Sequence, residues 1–306
     1  MDRPKILVLM ATHNGARWIG EQLDSVLSQI NVDVSIVISD DGSTDDTVIQ
    51  LQKYAHDSRV SIIAPPTPTG SAAQNFFWLI RNTRAEEYSC VAFSDQDDLW
   101  SEAKLSRAYS ALAGSDAVAY SCAVTAFWPQ YRETTLSQVD RLTESDFLFE
   151  GGGQGCTFML TTAFYKRLRE FLLMNMNQTE SIHYHDWATF ALARSWRLQW
   201  LFDPKPMVHY RQHENNDTGA RASVGGIAKR IGLLRSGWYA RQLRGIAKLC
   251  LTANPADSTI KEWNLLLALP AGAARRYRMA RFCLRGGRRR RSDYIALLAA
   301  ALAGWI

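Results

Sequence analysis

Apolar residues fall in short runs along the first third of the chain, and most of these runs stop at a polar cluster. Ile6–Met10 is continuously apolar, as a parallel strand covered on both faces is. His13, Asn14 and Gly15 follow it, and Trp18, Ile19, Leu23, Val26, Leu27 and Ile30 then recur at helical spacing. Val32–Ile38 predicts a second strand ending at Ser39-Asp40-Asp41-Gly42-Ser43. Ser43 and Asp46 fit a capping box that opens a helix over Asp46–Tyr54. Val60–Ala64 is a third strand, Pro65–Gly70 a loop and Ala72–Ile80 a helix. Ser89–Phe93 is a fourth strand, and it delivers Asp95. Repeats of this kind predict a mainly parallel sheet flanked by helices. Ligands of such sheets sit at the carboxyl ends of the strands, where these polar clusters lie.

The middle of the chain is less regular. Ala117–Thr125 predicts a strand, residues 150–156 a glycine-rich loop, and Thr157–Leu160 a strand after it. Thr161–Leu173 and Asp186–Arg194 read as helices, and Leu198–Phe202 and Met207–Tyr210 as two short strands. From Ser223 onward the pattern is helical and basic. The expected organisation is an α/β region over residues 1–220 and a helical, basic region over 221–306.

Charge sharpens that division. The net charge of +5 over 306 residues hides 18 Lys+Arg against 27 Asp+Glu up to residue 220, and 17 against 3 beyond it. An acidic part suits a site that needs cations, and a basic part a phosphate-bearing surface. The five cysteines are odd in number and none shows C-x-x-C spacing, which predicts reduced core thiols and neither zinc nor a disulfide framework. The apolar run at the amino terminus is short and passes straight into Thr12 and His13, so it reads as a buried strand and no signal peptide. No segment reaches the roughly 20 apolar residues that cross a bilayer.

Three carboxylates, Asp95, Asp97 and Asp98, crowd into four positions after the fourth strand. Carboxylates about 5 Å apart repel by roughly 3 kcal/mol at an effective dielectric near 20. Asp95-Gln96-Asp97 offers two carboxylates on one side of an extended segment. Hard cations such as Mg²⁺ and Mn²⁺ are held by one or two such groups together with substrate phosphates. The plainer reading makes Asp97 or Asp98 the cap of a helix starting near Trp100. Asp40 and Asp41 fit a tight turn, or an acceptor for the imide N–H of uracil or thymine. His13 fits a surface position, or a platform for a base. Asp186 opens a helix, where the dipole favours an acid in any case, or it is a general base. Arg211 beside His213 suits a diphosphate–metal complex.

In this order the motifs resemble family 2 glycosyltransferases of the GT-A fold, and most nearly the bacterial rhamnosyltransferase-like branch of cell-surface polysaccharide synthesis. The residues that carry the resemblance are Thr12 to Gly15, Gln22 to Gln29, Asp40 to Asp45, Asn75-Phe76, Ser94 to Trp100 with Lys104-Leu105, Gly155-Cys156, His185-Asp186-Trp187, and Tyr210 to His213 with Asn216 and Gly219. They span about residues 4–220. The resemblance implies a nucleotide site of Ala11, His13, Asp41, Asp95 and Gln96, with His13 where the family more usually has tyrosine. It implies Mn²⁺ or Mg²⁺ on Asp97 and His213, and Asp186 as the catalytic base. Arg211, Asp98, Gly155, Cys156 and Trp187 would serve the diphosphate or the acceptor. The implied reaction is inverting transfer from a dTDP- or UDP-linked sugar, with dTDP-L-rhamnose preferred, to a glycan acceptor carried on a lipid.

Arg285 to Arg291 precede an apolar stretch, Tyr294 to Ile306, about 20 Å long as a helix and so too short to span a bilayer core near 30 Å. A cationic stretch beside it suits an anionic membrane surface on the cytoplasmic face of the inner membrane. The same helix fits another subunit equally well, which leaves an oligomer open. Three other readings stand beside the leading one: a transferase using a UDP-hexose or UDP-N-acetylhexosamine, a silent scaffold that binds a sugar nucleotide, and a nucleic-acid binder. The acidic main region and the lack of aromatics among the arginines argue against nucleic acid.

Overall fold

A computed structural model describes residues 3–128, 132–137, 141–213 and 232–306. Asn216, Gly219 and the start of the basic region, residues 223–231, lie outside the described residues.

Among the described residues nine strands form one mixed sheet with helices on both faces. Strand β1 (Lys5–Thr12) lies between β2 (Asp33–Asp40) and β4 (Cys90–Ser94), and β3 (Val60–Ile63) flanks β2, all parallel. The sheet then continues antiparallel through β8 (Met159–Thr161) to β6 (Ala119–Phe127). β9 (Trp200–Arg211) runs parallel to β6. Two short strands were not expected from the sequence. They are β5 (Leu99–Trp100), paired with β9, and β7 (Glu133–Leu136), paired with β6.

The helices follow the predicted faces. α1 (Ile19–Leu27) buries Ile19, Gln22, Leu23 and Val26, a stripe at i, i+3, i+4 and i+7. α2 (Thr47–Gln52) differs at its start. Ser43 does not cap it: its hydroxyl donates to Asp40 Oδ1 at 2.5 Å and accepts from Asn14 N at 2.8 Å. Asp46 holds the N-cap position without a side-chain cap bond, and Asp45 before it accepts from Thr47 N at 3.0 Å. α3 (Ala72–Asn82) is capped by Ser71, which accepts from Gln74 N. α4 (Lys104–Ala113), α5 (Thr162–Met174) and α6 (His185–Ser195) complete the central layers.

Beyond residue 232 come α7 (Trp238–Ala253), α8 (Ser258–Ala268), α9 (Ala273–Cys283) and α10 (Arg291–Ala303). α7 packs on α6 and on the turn at Asp146–Leu148, and α8, α9 and α10 each pack on the helix before. One hydrophobic cluster runs from Leu7, Phe76 and Phe93 through Phe190 and Trp200 to Leu243, Trp263, Phe282 and Leu297. No described helix is long and apolar enough to cross a membrane. All five cysteines are buried and free, and burial pushes each thiol above its ordinary range.

The two short strands expected over 198–202 and 207–210 are one strand, β9. Pro204 and Pro206 lack a ladder donor, and they sit where the register with β6 shifts, between Cys122 and Val124. Asp203 lies at that irregularity and joins three elements. It accepts from Arg107 of α4 at 2.5 and 3.0 Å, from the Tyr120 hydroxyl of β6 at 2.8 Å and from Lys205 N at 2.9 Å. Burial raises the Asp203 carboxyl, but these donors together hold it below its ordinary value. Asp203→Ala leaves the buried Tyr120 hydroxyl without this acceptor. It is expected to destabilise the protein by about 2–3 kcal/mol, read by denaturant unfolding. A group with a depressed folded value stabilises above its unfolded value near 4 and stops doing so as pH falls through the folded value. The gap between wild type and variant is therefore expected to be full at pH 6–8 and to narrow below pH 4.

Candidate active site

Parallel neighbours end on one edge, so the residues after β1, β2 and β4 come together without any special loop. Thr12 is in register with Asp40, and Met10 with both Ile38 and Ser94. Gln96 ties two of these ends. Its Oε1 accepts from the Thr12 hydroxyl at 2.6 Å and from His13 N at 2.9 Å, and its Nε2 donates to His13 O at 2.9 Å. A Cβ on Gly15 would stand 2.2 Å from that Oε1, so only glycine lets the strap close. His13 Nδ1 lies 3.1 Å from Asp41 O. The Asp41 carboxylate accepts from Thr69 N at 2.5 Å, the Thr69 hydroxyl at 2.9 Å and Gly70 N at 3.0 Å. A carboxylate has about four lone-pair sites, so roughly one stays available. The Pro65–Gly70 loop that grips Asp41 was legible as a loop; its partner was not.

The acidic cluster is stitched to the end of β9. His213 Nε2 lies 2.6 Å from Asp97 Oδ2, and its ring stacks on Trp18 with centroids 4.2 Å apart. Arg211 donates from its main-chain N to Asp98 Oδ1 at 3.2 Å and from Nε to Asp97 O at 2.9 Å. Its guanidinium reaches Glu21 at 2.6 Å and stands over the Phe127 ring. No helix starts at Trp100, and the residue before α4 makes no side-chain cap. Asp97 and Asp98 therefore do not serve as helix caps.

Asp98 is 1% exposed, and its Oδ2 has no hydrogen-bond partner among the described residues. Burial first, then the charges of Asp97 and Asp95, push its carboxyl well up. The Cys156 thiol and the Arg211 main-chain N–H temper this. The Cys156 thiol, kept protonated by burial, hydrogen-bonds to it. Lys104, wholly buried with Nζ 3.4 Å from the Trp100 ring, is pushed down to about 8 by burial and keeps most of its charge at neutral pH. The sequence placed Lys104 in a motif and gave it no task, because the groups around it, Trp100 of β5, Cys122 of β6 and Cys156 of the loop before β8, are brought together only by the fold.

Ligating atoms of Asp95, Asp98 and Cys156 lie within 4.8 Å of one another. A protonated thiol is a poor ligand for a hard cation, whereas carboxylate oxygens and a neighbouring imidazole suit one. Asp95, Asp97 and His213 therefore fit a divalent cation in donor chemistry, and the like charge packed around the orphaned Asp98 oxygen favours one.

A cleft of about 910 Å³ runs from Ala11, His13 and Asp41 past Asp95, Gln96 and Asp97 to Gly155 and Asp186. Asp186 stands in the first turn of α6, where the helix dipole favours its anion, and its Oδ1 accepts from Trp187 N at 2.6 Å. Trp187 turns into the core and donates its indole N–H to Phe147 O at 2.8 Å. His185 stacks on Phe76 at 3.8 Å, and burial pushes it down to about 3, so it stays neutral. Cys156, Asp98 and Arg211 do not line this cleft. The wall continues into the C-terminal segment at Tyr239, Arg288, Arg289 and Leu297. That contribution was missed, since a run of arginines in sequence looks like exposed charge.

Residues 7–190 match the model of the family described as Glycosyl transferase family 2. The chain is 36% identical over 272 residues to the dTDP-rhamnosyl transferase RfbG of Shigella flexneri, covering 87% of this chain and 94% of that one. Among solved structures, TarS of S. aureus in complex with UDP-GlcNAc superposes with a TM-score of 0.61 at 15% identity, covering 98% of this chain and 89% of the other. The mannosyltransferase PcManGT of Pyrobaculum calidifontis in complex with GDP-Man and Mn²⁺ does so with a TM-score of 0.54 at 17% identity, over 99% and 87%. These two likenesses establish the GT-A fold, and the sequence matches go further: the chain is a glycosyltransferase and belongs to glycosyl transferase family 2.

Proposed function

We propose that the chain transfers L-rhamnose from dTDP-L-rhamnose, with inversion, to a hydroxyl of a growing cell-surface glycan carried on a lipid. The observation that carries this reading is the pairing of Asp97 with His213, at 2.6 Å, in a cleft that also holds Asp41 and Asp186. The likeness to a dTDP-rhamnosyl transferase over 87% of the chain favours the donor.

Asp41 accepts the imide N–H of the base with its remaining lone pair, and His13 lies against the base. Asp95 holds the ribose or joins the metal site. Asp97 and His213 would hold Mn²⁺ or Mg²⁺, and such a cation would supply positive charge to offset that of the leaving nucleoside diphosphate. Arg211 acts through Asp97, since its guanidinium is engaged by Glu21 and Asp97 O. Asp186 takes the proton of the acceptor hydroxyl as that oxygen bonds to the anomeric carbon and the bond to the diphosphate breaks. Attack from the face opposite the leaving group inverts the carbon. Gly155 lies against Asp186 and leaves room for the acceptor. The exposed Arg290, Arg291, Ile295 and Leu302 form the contact with an anionic membrane surface on the cytoplasmic face.

Titration calorimetry with dTDP and with UDP, each with Mn²⁺, Mg²⁺ and chelator, tests the donor. Metal-dependent binding that favours dTDP is expected. A UDP preference would replace rhamnose by a UDP-linked hexose or N-acetylhexosamine, and no nucleotide binding by folded protein would sink the site assignment.

Two variants test the division of labour. Asp97→Asn is expected to abolish the metal-dependent part of dTDP binding. Asp186→Asn is expected to keep dTDP binding and lose turnover about a hundredfold or more; wild-type turnover in this variant would move the base elsewhere.

A further inference from the structure

The glycine-rich loop is pressed onto the turn that carries Asp186. A Cβ at Gly151 would stand 3.3 Å from Trp187 Cα, and one at Gly155 would stand 2.7 Å from His185 Nε2 and 3.2 Å from Asp186 Cβ. Main chain and helix are thus in direct contact. Glycines bring no side chains to hold such a contact, and ordering them costs more conformational entropy than ordering other residues. The group that holds this loop comes from 138 residues further along the chain.

The Arg289 side chain is 5% exposed and lies against the loop at the cleft wall. Its guanidinium donates to Gly151 O through Nη2 and to Glu150 Oε1 through Nε at 3.1 Å. Its main-chain N donates to the same Glu150 Oε1 at 2.7 Å. Asp146 Oδ2 lies 3.5 Å from Nε, and the guanidinium is also within reach of the Phe190 and Phe202 rings. Phe190 belongs to α6, so one planar group touches both the loop and the helix it abuts. Arg288 adds a second tie: its Nη2 lies 2.8 Å from the Tyr239 hydroxyl, which donates to Phe149 O at 2.7 Å. Both arginines lie outside the residues that match the family model.

We propose that Arg289, with Arg288 beside it, is a positioning residue for the transfer step: it locks the 151–155 loop onto the first turn of α6 and so sets where Asp186 meets the acceptor hydroxyl. This rests on the reading of Asp186 as the base. Arg289 itself touches no reacting atom. A fork-shaped guanidinium is needed because it bonds a carbonyl and a carboxylate at once, which a lysine ammonium does as a point charge and less rigidly.

The test compares wild type, Arg289→Lys and Arg289→Ala in the full chain, by hydrogen exchange, dTDP titration with Mn²⁺, and release of dTDP from dTDP-L-rhamnose with water as acceptor. In Arg289→Ala, main-chain amides over 151–156 are expected to exchange faster while β1, β2 and β4 do not change. The dTDP affinity and the donor KM are expected to hold, and kcat to fall about tenfold to a hundredfold. Arg289→Lys is expected to recover part of that loss. Glu150→Gln, a milder change at the same contact, should move exchange and kcat in the same direction by less, and serves if Arg289→Ala does not fold. Unchanged loop exchange overturns the proposal, as does faster exchange with unchanged kcat, or a joint fall of kcat and dTDP affinity. Exchange needs neither donor nor acceptor, so a wrong donor or base shows separately, as an inactive wild type or an active Asp186→Asn.

Discussion

Three carboxylates at the end of one strand repel each other, and much of this architecture answers that repulsion. Asp98 is buried with a neutral thiol and a buried ammonium beneath it. Asp97 faces an imidazole, and the main chain of Arg211 donates to Asp98. Two of these partners arrive at the end of β9 or just beyond it, and the alignment of β9 depends on Asp203 and the register shift opposite Cys122 and Ala123. A sheet that failed to deliver the end of β9 would leave Asp97 and Asp98 without their partners. The spine of the second half of the fold is in this sense part of the acidic site.

Polar groups at the opposite wall follow a different logic. Around Asp186 the main chain of the loop approaches the helix closely. His185 is neutral and stacked, Trp187 is core, and the loop opposite is glycine. The amino terminus of α6 adds a fixed partial positive charge beside the Asp186 carboxylate.

What could be read from the sequence followed from locality. β1, β2 and β4 are apolar runs ended by polar residues, and their parallel register puts Thr12, Asp40 and Ser94 on one edge. The placement of His13, Asp41 and Asp95 to Asp97 follows from that alone. Elements whose identity depends on distant partners were not legible. β5 is two residues long and is a strand only because β9 lies beside it. β9 looks like two strands because its prolines interrupt the pattern, while the bulge that accepts them is a property of the pair. Ser43 does not cap α2 because it is already engaged by Asp40 and Asn14. Arg288 and Arg289 looked like surface charge because Glu150, which draws them in, stands more than a hundred residues earlier. Composition reports how many charges a segment has and says nothing of which ones are covered.

The burial of all five thiols has a practical side. Thiolates react with maleimides and iodoacetamides, and a thiol held protonated inside a packed core presents neither the nucleophile nor a path to it. The native chain is therefore chemically silent to such reagents. One cysteine placed on an open surface, at the exposed Ile295 of α10 for instance, would be the single reactive handle on the molecule. A fluorophore or spin label there would report on the C-terminal wall of the cleft without first stripping the protein of its own cysteines.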